Sequence, residues 1–205
     1  AGEGHLYLDG AEVKTLAGVV SPKGFPATLA FGAGAYLAEV RISSIQRYSG
    51  APRAASGRGG TYLSELAPVR AVQAWAKLGN DCRIAGDGTK TPLVLGGWVY
   101  GKGLGTHAAA ELVYELGGRW AACAALIGIS DLAQGNGSVV FQFFGDGRKL
   151  HDSGLFTKER KPEAVRVDVT GVKQLMIRVL DFDDGISGDH ANLADAVLLA
   201  PGAEA

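Results

Sequence analysis

The residues with the clearest chemical potential lie in a glycine-rich run, ValTyrGlyLysGlyLeuGlyThrHisAla, at positions 99–108. Lys102 and His107 are hydrogen-bond donors on a backbone that three alternating glycines allow to turn sharply or to be approached closely. Polar groups presented at the end of a strand are the usual arrangement of a binding site. The alternative is a glycine-rich corner in which His107 caps a backbone group.

Three tryptophans could offer an aromatic face to a ligand bound near this run. Trp98 follows two glycines and adjoins the run, so we expect it to be exposed there. Trp75 and Trp120 have alanine and leucine neighbours, which favours burial in the core. Trp98 is therefore the predicted stacking platform.

A second polar group is the acidic stretch of Asp181, Asp183, Asp184 and Asp189. Oxygen-rich loops suit calcium. An EF-hand does not fit, because Ile186 stands where the glycine at its sixth position is required. A solvated acidic turn is the alternative to a calcium loop.

The elements that position these groups are predicted to be strands. Val165, Val167 and Val169 alternate with polar residues, and the run around Ile177 repeats that period of two. Aspartate-glycine pairs at 9–10 and 146–147 are typical of two-residue hairpin turns. Residues 68–78 have an ambiguous period and could form a short helix or an irregular segment. The pattern as a whole predicts an all-β chain.

Composition excludes several classes of function. The chain has 205 residues and a formal net charge of −1, which gives no electrostatic basis for binding nucleic acid. No apolar run approaches the roughly 20 residues of a membrane span. Phosphate loops, dinucleotide fingerprints, nucleophile elbows and zinc-protease motifs are missing, so we expect no enzyme. Cys82 and Cys123 allow one disulfide or two free thiols.

An ordered series of short motifs covers the last two-thirds of the chain. It runs through ProLeuValLeuGlyGly (92–97), the glycine-rich run (99–108), LeuValTyrGluLeuGlyGly (112–118), IleGlyIleSerAsp (127–131), GlySerValValPheGlnPhePheGlyAspGly (137–147), ValThrGlyValLysGlnLeu (169–175), AspAspGly (183–185) and AspHisAlaAsnLeuAlaAspAla (189–196). The series resembles the NPCBM family, classed as carbohydrate-binding module family 51, from about Tyr62 to Leu199. The resemblance implies a galactose-binding-like antiparallel β-sandwich (a jelly roll) that recognises galactose-containing glycans, lacks catalysis of its own and works outside the cytoplasm.

The resemblance also implies which residues bind the sugar. His107 falls on the family's GlyThrHisAla motif, and His190 and Asn192 fall on its AspHisAlaAsp motif. Together with Lys102 and Trp98 they form the predicted carbohydrate-binding set.

Two further points follow from the same resemblance. The family pattern has a tryptophan where this chain has Leu193, so either a stacking face or a core residue differs here. A structural calcium ion is also implied, with Asp81, Asp183 and Asp184 as its predicted ligands.

The first 48 residues are predicted to be a separate unit. They resemble the C-terminal strands of a laminin-G-like (concanavalin-type) jelly roll, and they are too few to complete one. A Gly-, Ser-, Ala- and Arg-rich stretch over 49–61 predicts a linker, with the sandwich over 62–205. The chain begins at Ala1 without a signal-peptide pattern, which is typical of a mature, processed or excised segment.

Two functions are compatible with these observations. The first is a glycan-binding module that belongs to a larger secreted protein. The second is a structural or assembly subunit of an extracytoplasmic complex that has lost sugar binding. Leu193 motivates the second, as do the unpaired N-terminal strands, which would pair with the upstream part of their own precursor or with another chain.

Overall fold

The computed structural model describes the backbone of residues 2–8 and 11–19, and both backbone and side chains of residues 60–84 and 86–203. The chain divides into two units, Ala1–Ala51 and Pro52–Ala205. In the first unit, β1 (Gly2–Leu8) pairs antiparallel with β2 (Ala11–Val19). This confirms the hairpin predicted at 9–10. The other predicted laminin-G-like strands and most of the predicted linker lie outside the described residues.

In the second unit, residues 60–84 and 86–203 form short strands and one 3-10 turn, η1 (Leu63–Glu65). The strands are β3 (Gly60–Tyr62), β4 (Arg70–Gln73), β5 (Gly79–Asn80), β6 (Leu93–Leu95), β7 (Trp98–Tyr100), β8 (Gly103–His107), β9 (Ala110–Glu115), β10 (Ala122–Ile129), β11 (Ser138–Gly145), β12 (Arg148–Thr157), β13 (Glu163–Asp168), β14 (Gln174–Leu180) and β15 (His190–Leu199). The first of them, β3, begins within the end of the predicted linker.

These strands form two antiparallel sheets and a separate β6–β7 hairpin. The first sheet has the order β13-β10-β15-β8-β5, with β3 also paired to β15, and the second has the order β12-β11-β14-β9-β4. The chain leaves the first sheet at His107 and enters the second at Ala110. The motif that carries His107 is therefore the crossing between the two sheets.

The main core lies between the two sheets. Leu112, Phe141 and Ile177 of the second sheet belong to one apolar cluster with Ile127 and Val167 of the first. The predicted alternation is confirmed in β13 and β14, where buried and more exposed residues follow each other in turn. The predicted antiparallel β-sandwich is confirmed.

The turn predicted at 146–147 is also confirmed. Asp146 and Gly147 both have positive φ, 48° and 81°, which is the conformation of a two-residue type I′ hairpin turn. This turn joins β11 to β12, with Gly145 opposite Arg148.

The first sheet is buried on its outer face as well. Every residue of β10 is buried. Leu126 and Ala194 pack beneath the β6–β7 hairpin, while Ala122 and Ala124 pack beside Tyr62. Burial on both faces removes the need for polar residues in alternation, which is why β10 is a continuous apolar run in the sequence.

Residues 68–78 contain the four-residue strand β4 and are otherwise irregular, so the predicted irregular segment is confirmed in part and the alternative of a short helix was wrong. Arg70 to Gln73 pair with β9 as the edge strand of the second sheet. Three of these four residues are exposed and the fourth is half-buried. An edge strand open on both sides lacks the alternation that would identify it.

Cys82 and Cys123 are both free thiols, so they do not form a disulfide. Among the described residues, no helix has the length and apolar character needed to cross a membrane.

Candidate functional site

One tryptophan and two histidines meet at one end of the first sheet. His107, the last residue of β8, pairs directly with His190, the first residue of β15, and their ring centroids are 5.0 Å apart. Trp75, which follows β4, packs on both rings with centroid distances of 5.4 Å and 5.3 Å. Trp75 is 40% exposed. Part of its aromatic surface is therefore open to a ligand.

Hydrogen bonds tie this cluster to the two sheets. Nδ1 of His107 lies 2.6 Å from the carbonyl oxygen of Ala108. A carbonyl oxygen only accepts, so Nδ1 carries a proton and donates it to Ala108. Thr106 donates from its hydroxyl to Oε1 of Gln73 at 2.7 Å, and Nε2 of Gln73 donates to the carbonyl oxygen of Trp75 at 3.2 Å.

Two buried polar atoms beside the cluster have no hydrogen-bond partner among the described residues. They are Nδ1 of His190 and Nε of Arg83. Burial, reinforced by His107 and Arg83, lowers the pKa of His190 to about 4, so its ring is neutral near pH 7. Buried polar atoms without partners are rare and costly. Both atoms have hydrogen-bonding capacity that no described residue uses.

Glycines allow the loop after β5 to lie against β8. A Cβ on Gly105 would be 2.4 Å from the carbonyl oxygen of Cys82 and 2.6 Å from Cα of Arg83. A Cβ on Gly86 would be 2.6 Å from Cζ2 of Trp75. Only glycine at these positions lets the loop pack so closely on β8 and on the indole. This is the close backbone approach that the glycine-rich run predicts.

The cluster combines an aromatic face with polar atoms at its border. The C–H face of a pyranose ring is apolar, whereas its hydroxyls both donate and accept hydrogen bonds. An exposed indole suits the first property. Imidazole and guanidinium nitrogens suit the second. The arrangement therefore has the chemistry of a small sugar-binding site.

The NPCBM/NEW2 domain family model matches residues 59–199, well over half of the chain. The chain belongs to this family. The membership predicted from the ordered motifs is therefore confirmed, and the second unit is referred to below as the NPCBM domain.

Solved carbohydrate-binding modules of family 51 share this fold. The module from Clostridium perfringens GH95, solved with methyl-galactose, is 31% identical with a TM-score of 0.62, covering 68% of this chain and 99% of that chain. A structure of CBM51-2 and INT domains from Clostridium perfringens ZmpB, solved with GlcNAc, is 26% identical with a TM-score of 0.61, covering 69% of this chain and 32% of that one. Tandem modules of Sp3GH98 from Streptococcus pneumoniae are 20% identical with a TM-score of 0.63, covering 69% and 47%.

A longer protein from Renibacterium salmoninarum also matches. It is named "Putative endo-alpha-N-acetylgalactosaminidase" and is 36% identical over 120 residues. The match includes 58% of this chain and 8% of that protein. The chain therefore spans only a small part of this relative's length.

The NPCBM domain brings two of the five predicted sugar-binding residues together, His107 and His190. Lys102 is engaged elsewhere: its Nζ lies 3.0 Å from Oε1 of Glu65 and 3.1 Å from Oδ2 of Asp81. The hydrogen bonds that Lys102 donates to the carboxylates of Glu65 and Asp81 raise its pKa. Its role in sugar binding stays a prediction.

The other two predicted residues lie under or within the β6–β7 hairpin. Trp98 is half-buried and packs against the cluster that contains Leu93 and Leu95. Asn192 is fully buried, and its Nδ2 donates to the carbonyl oxygen of Val94 at 3.4 Å. Their roles as sugar contacts likewise stay predictions.

The predicted burial of Trp75 in the core was wrong, and that of Trp120 is supported. Trp120 packs against the main core. Trp75 follows an edge strand and covers the two histidines from outside. No period of two surrounds it in the sequence, so no pattern places it inside or outside. The alanine and leucine neighbours were a poor guide.

The three carboxylates predicted to bind calcium lie in two different loops. Asp81 accepts the Gly103 N–H at 3.1 Å and pairs with Lys102, while Asp184 accepts the Ser138 hydroxyl at 2.6 and 2.7 Å. No group of three or more His, Cys, Asp or Glu side chains among residues 60–84 and 86–203 is arranged to hold a metal ion. Calcium binding stays a prediction, and no chemistry of this site depends on it.

Two residues of the site were not found from the sequence. Arg83 follows Cys82 in a polar loop, and nothing in the sequence distinguishes it from the other arginines. Gln73 lies on the edge strand that had no clear pattern. Both are brought to the cluster by contacts between segments far apart in the chain.

Proposed function

We propose that the NPCBM domain is a non-catalytic carbohydrate-binding module that holds a galactose-type sugar against Trp75. The observation that carries the proposal is the partly open indole face of Trp75 packed on the paired rings of His107 and His190. The sugar ring stacks on the indole. Its hydroxyls bond to the imidazole nitrogens and to the guanidinium of Arg83.

The structural neighbours support this choice of ligand. The GH95 module, which the chain covers over 99% of its length, was solved with methyl-galactose. The ZmpB module was solved with GlcNAc. Galactose is the first choice because the module solved with it has the higher sequence identity.

We further propose that the module belongs to a larger protein that acts on glycans outside the cytoplasm. The Renibacterium relative, of which the chain matches 8%, has the name of a glycosidase. In such a protein the module would hold the substrate surface close to a separate catalytic domain, and the two functions would reside in different parts of the chain.

The alternative of an assembly subunit is not favoured by the position of Leu193. Leu193 is fully buried in the main core, on the face of β15 opposite to His190 and Asn192. A tryptophan at this position would also point into the core. The difference at 193 is thus a change of core packing, and no sugar-stacking surface is lost through it.

Isothermal titration with methyl-galactoside, GlcNAc and glucose tests the proposal. We expect millimolar or tighter binding of methyl-galactoside. Replacing a charged donor of hydrogen bonds costs about 1.5–3 kcal/mol, so Arg83→Gln should weaken binding roughly 10- to 150-fold.

Arg166→Gln is the matched control, because Arg166 lies exposed on β13 at the far edge of the first sheet. It should leave the affinity unchanged. A folded wild-type protein that binds none of the three sugars, or equal affinities for the two arginine variants, would contradict the proposed function.

A further inference from the structure

A groove is lined by residues of β4, of the segment that follows it and of β5. The first sheet ends at β5 and the second at β4. Ala71 and Gln73 of β4 lie opposite Leu112 and Ala110, which both belong to the main core. Ala71 and Gln73 therefore face the gap between the sheets.

The groove, called the edge groove below, has a volume of about 580 Å³. Its lining includes apolar side chains together with amide and ammonium groups: Pro68, Ala71, Leu78, Gln73, Lys77 and Asn80. Small-molecule sites have volumes of about 300–1,000 Å³, so the edge groove has room for a ligand of sugar size.

Gln73 connects the edge groove to the Trp75 cluster. This side chain lines the groove, accepts from Thr106, and donates to the carbonyl oxygen of Trp75. Ala76, directly after Trp75, also lines the groove. In this short turn, Trp75 thus contacts the two histidines while Ala76 lines the groove.

We propose that the edge groove is a second sugar subsite, so that the ligand is an oligosaccharide of at least two residues. This inference rests on the proposed function: the terminal sugar stacks on Trp75, and the next sugar lies between β4 and β5. The Asn80 amide and the Lys77 ammonium meet its hydroxyls. The side chains of Ala71 and Leu78 meet its C–H face.

The chemistry of the lining fits a neutral sugar better than an apolar ligand. Amides both donate and accept, which matches neighbouring hydroxyls. An apolar ligand would leave these groups without partners at a cost in free energy. The lining residues Ala71, Lys77 and Asn80 are exposed, so the edge groove is open to solvent, as binding to part of a longer glycan requires.

The test compares methyl-galactoside with disaccharides that have galactose at the non-reducing end, joined through β1-3, β1-4 and α1-3 linkages. With two added hydrogen bonds, we expect at least one disaccharide to bind about tenfold more tightly than methyl-galactoside. The double variant Lys77→Ala/Asn80→Ala should reduce that gain to less than about threefold, while methyl-galactoside binds as before.

Both substituted residues are exposed, so the variant should fold, and its melting temperature checks this. Ala71→Trp, which fills the groove from an exposed position, should have the same effect on the disaccharide. Lys161→Ala, on the exposed loop before β13, is the control and should change neither affinity.

Two results would overturn the subsite, and they differ from failure of the proposed function. If every disaccharide binds no better than methyl-galactoside, or if the gain survives in both groove variants, the edge groove is not a subsite. If no sugar binds at all, the proposed function fails and the subsite fails with it.

Discussion

Removal of the Trp75 ring is the sharpest perturbation of the proposed site. The indole touches both histidines from outside, so Trp75→Ala removes the surface on which the sugar would stack while the strands that hold the histidines remain paired. Because Trp75 follows an edge strand, we expect the sandwich to stay folded.

The size of the effect follows from the exposed area. A tryptophan side chain presents about 150–250 Å², and at 40% exposure about 60–100 Å² of Trp75 is available for a sugar to cover. At about 25 cal/mol per Å² this is worth about 1.5–2.5 kcal/mol. Trp75→Ala should therefore weaken binding about 10- to 70-fold at 25 °C.

The assay is isothermal titration with methyl-galactoside, accompanied by thermal unfolding. Trp98→Phe is the control, since Trp98 packs in the separate cluster beneath the β6–β7 hairpin, and it should leave the affinity within about twofold. Trp75→Ala with wild-type affinity and an intact unfolding transition would refute the reasoning. A large loss of affinity in Trp98→Phe alone would show that the sugar stacks on Trp98, as the sequence predicts.

Two further predictions concern the same cluster. Gly86→Ala should push the indole away from its present position, because a Cβ would lie 2.6 Å from Trp75 Cζ2. Sugar binding measured by titration should therefore weaken. Gly101→Ala is the control and should leave the affinity unchanged, because nothing lies within 4 Å of its Cβ. The pH dependence of unfolding should contain two opposing contributions. The lowered pKa of His190, about 4, gives stability that is present above about pH 6.5 and lost as pH falls through about 4. Burial raises the pKa of Asp189 to about 6, which gives stability that is present below about pH 3.9 and lost as pH rises through about 6. In Asp189→Asn only the His190 contribution remains, so the melting temperature should rise with pH between pH 4 and 7. In His190→Gln only the Asp189 contribution remains, so the melting temperature should fall over the same range. Parallel curves for the two variants would contradict both assignments.

The strands of the sandwich could be predicted because each is governed by local rules. Val165 and Val167 point inward because successive side chains of a strand alternate between its two faces. Asp146-Gly147 turns because both residues tolerate positive φ. These requirements act over a few residues, so they leave a pattern that can be read in the sequence.

The site could be predicted only in part, because its residues come from segments far apart in the chain. His107 and His190 were named through family motifs, and the pairing of β8 with β15 brings them together. Trp75 and Arg83 reach them through packing of loops on strands, which no spacing in the sequence encodes. Lys102 lies in the glycine-rich run and Trp98 adjoins it, yet Lys102 pairs with Glu65 and Asp81 and Trp98 packs in the cluster beneath the β6–β7 hairpin.

The division of the cluster between strands and turns has a consequence for specificity. His107 and His190 are a cross-strand pair in the interior of a sheet, so the pairing of β8 with β15 fixes their backbone positions. Trp75 and Arg83 lie in connecting segments, which tolerate change far better than paired strands do. We therefore expect β8 and β15 to determine where the sugar binds. The connecting segments that carry Trp75 and Arg83 should determine which hydroxyls form hydrogen bonds. Exchange of residues 74–78 with the corresponding turn of the GlcNAc-bound ZmpB module should shift sugar preference in titrations while unfolding stays cooperative. A loss of folding in that exchange would show instead that the turn is part of the core.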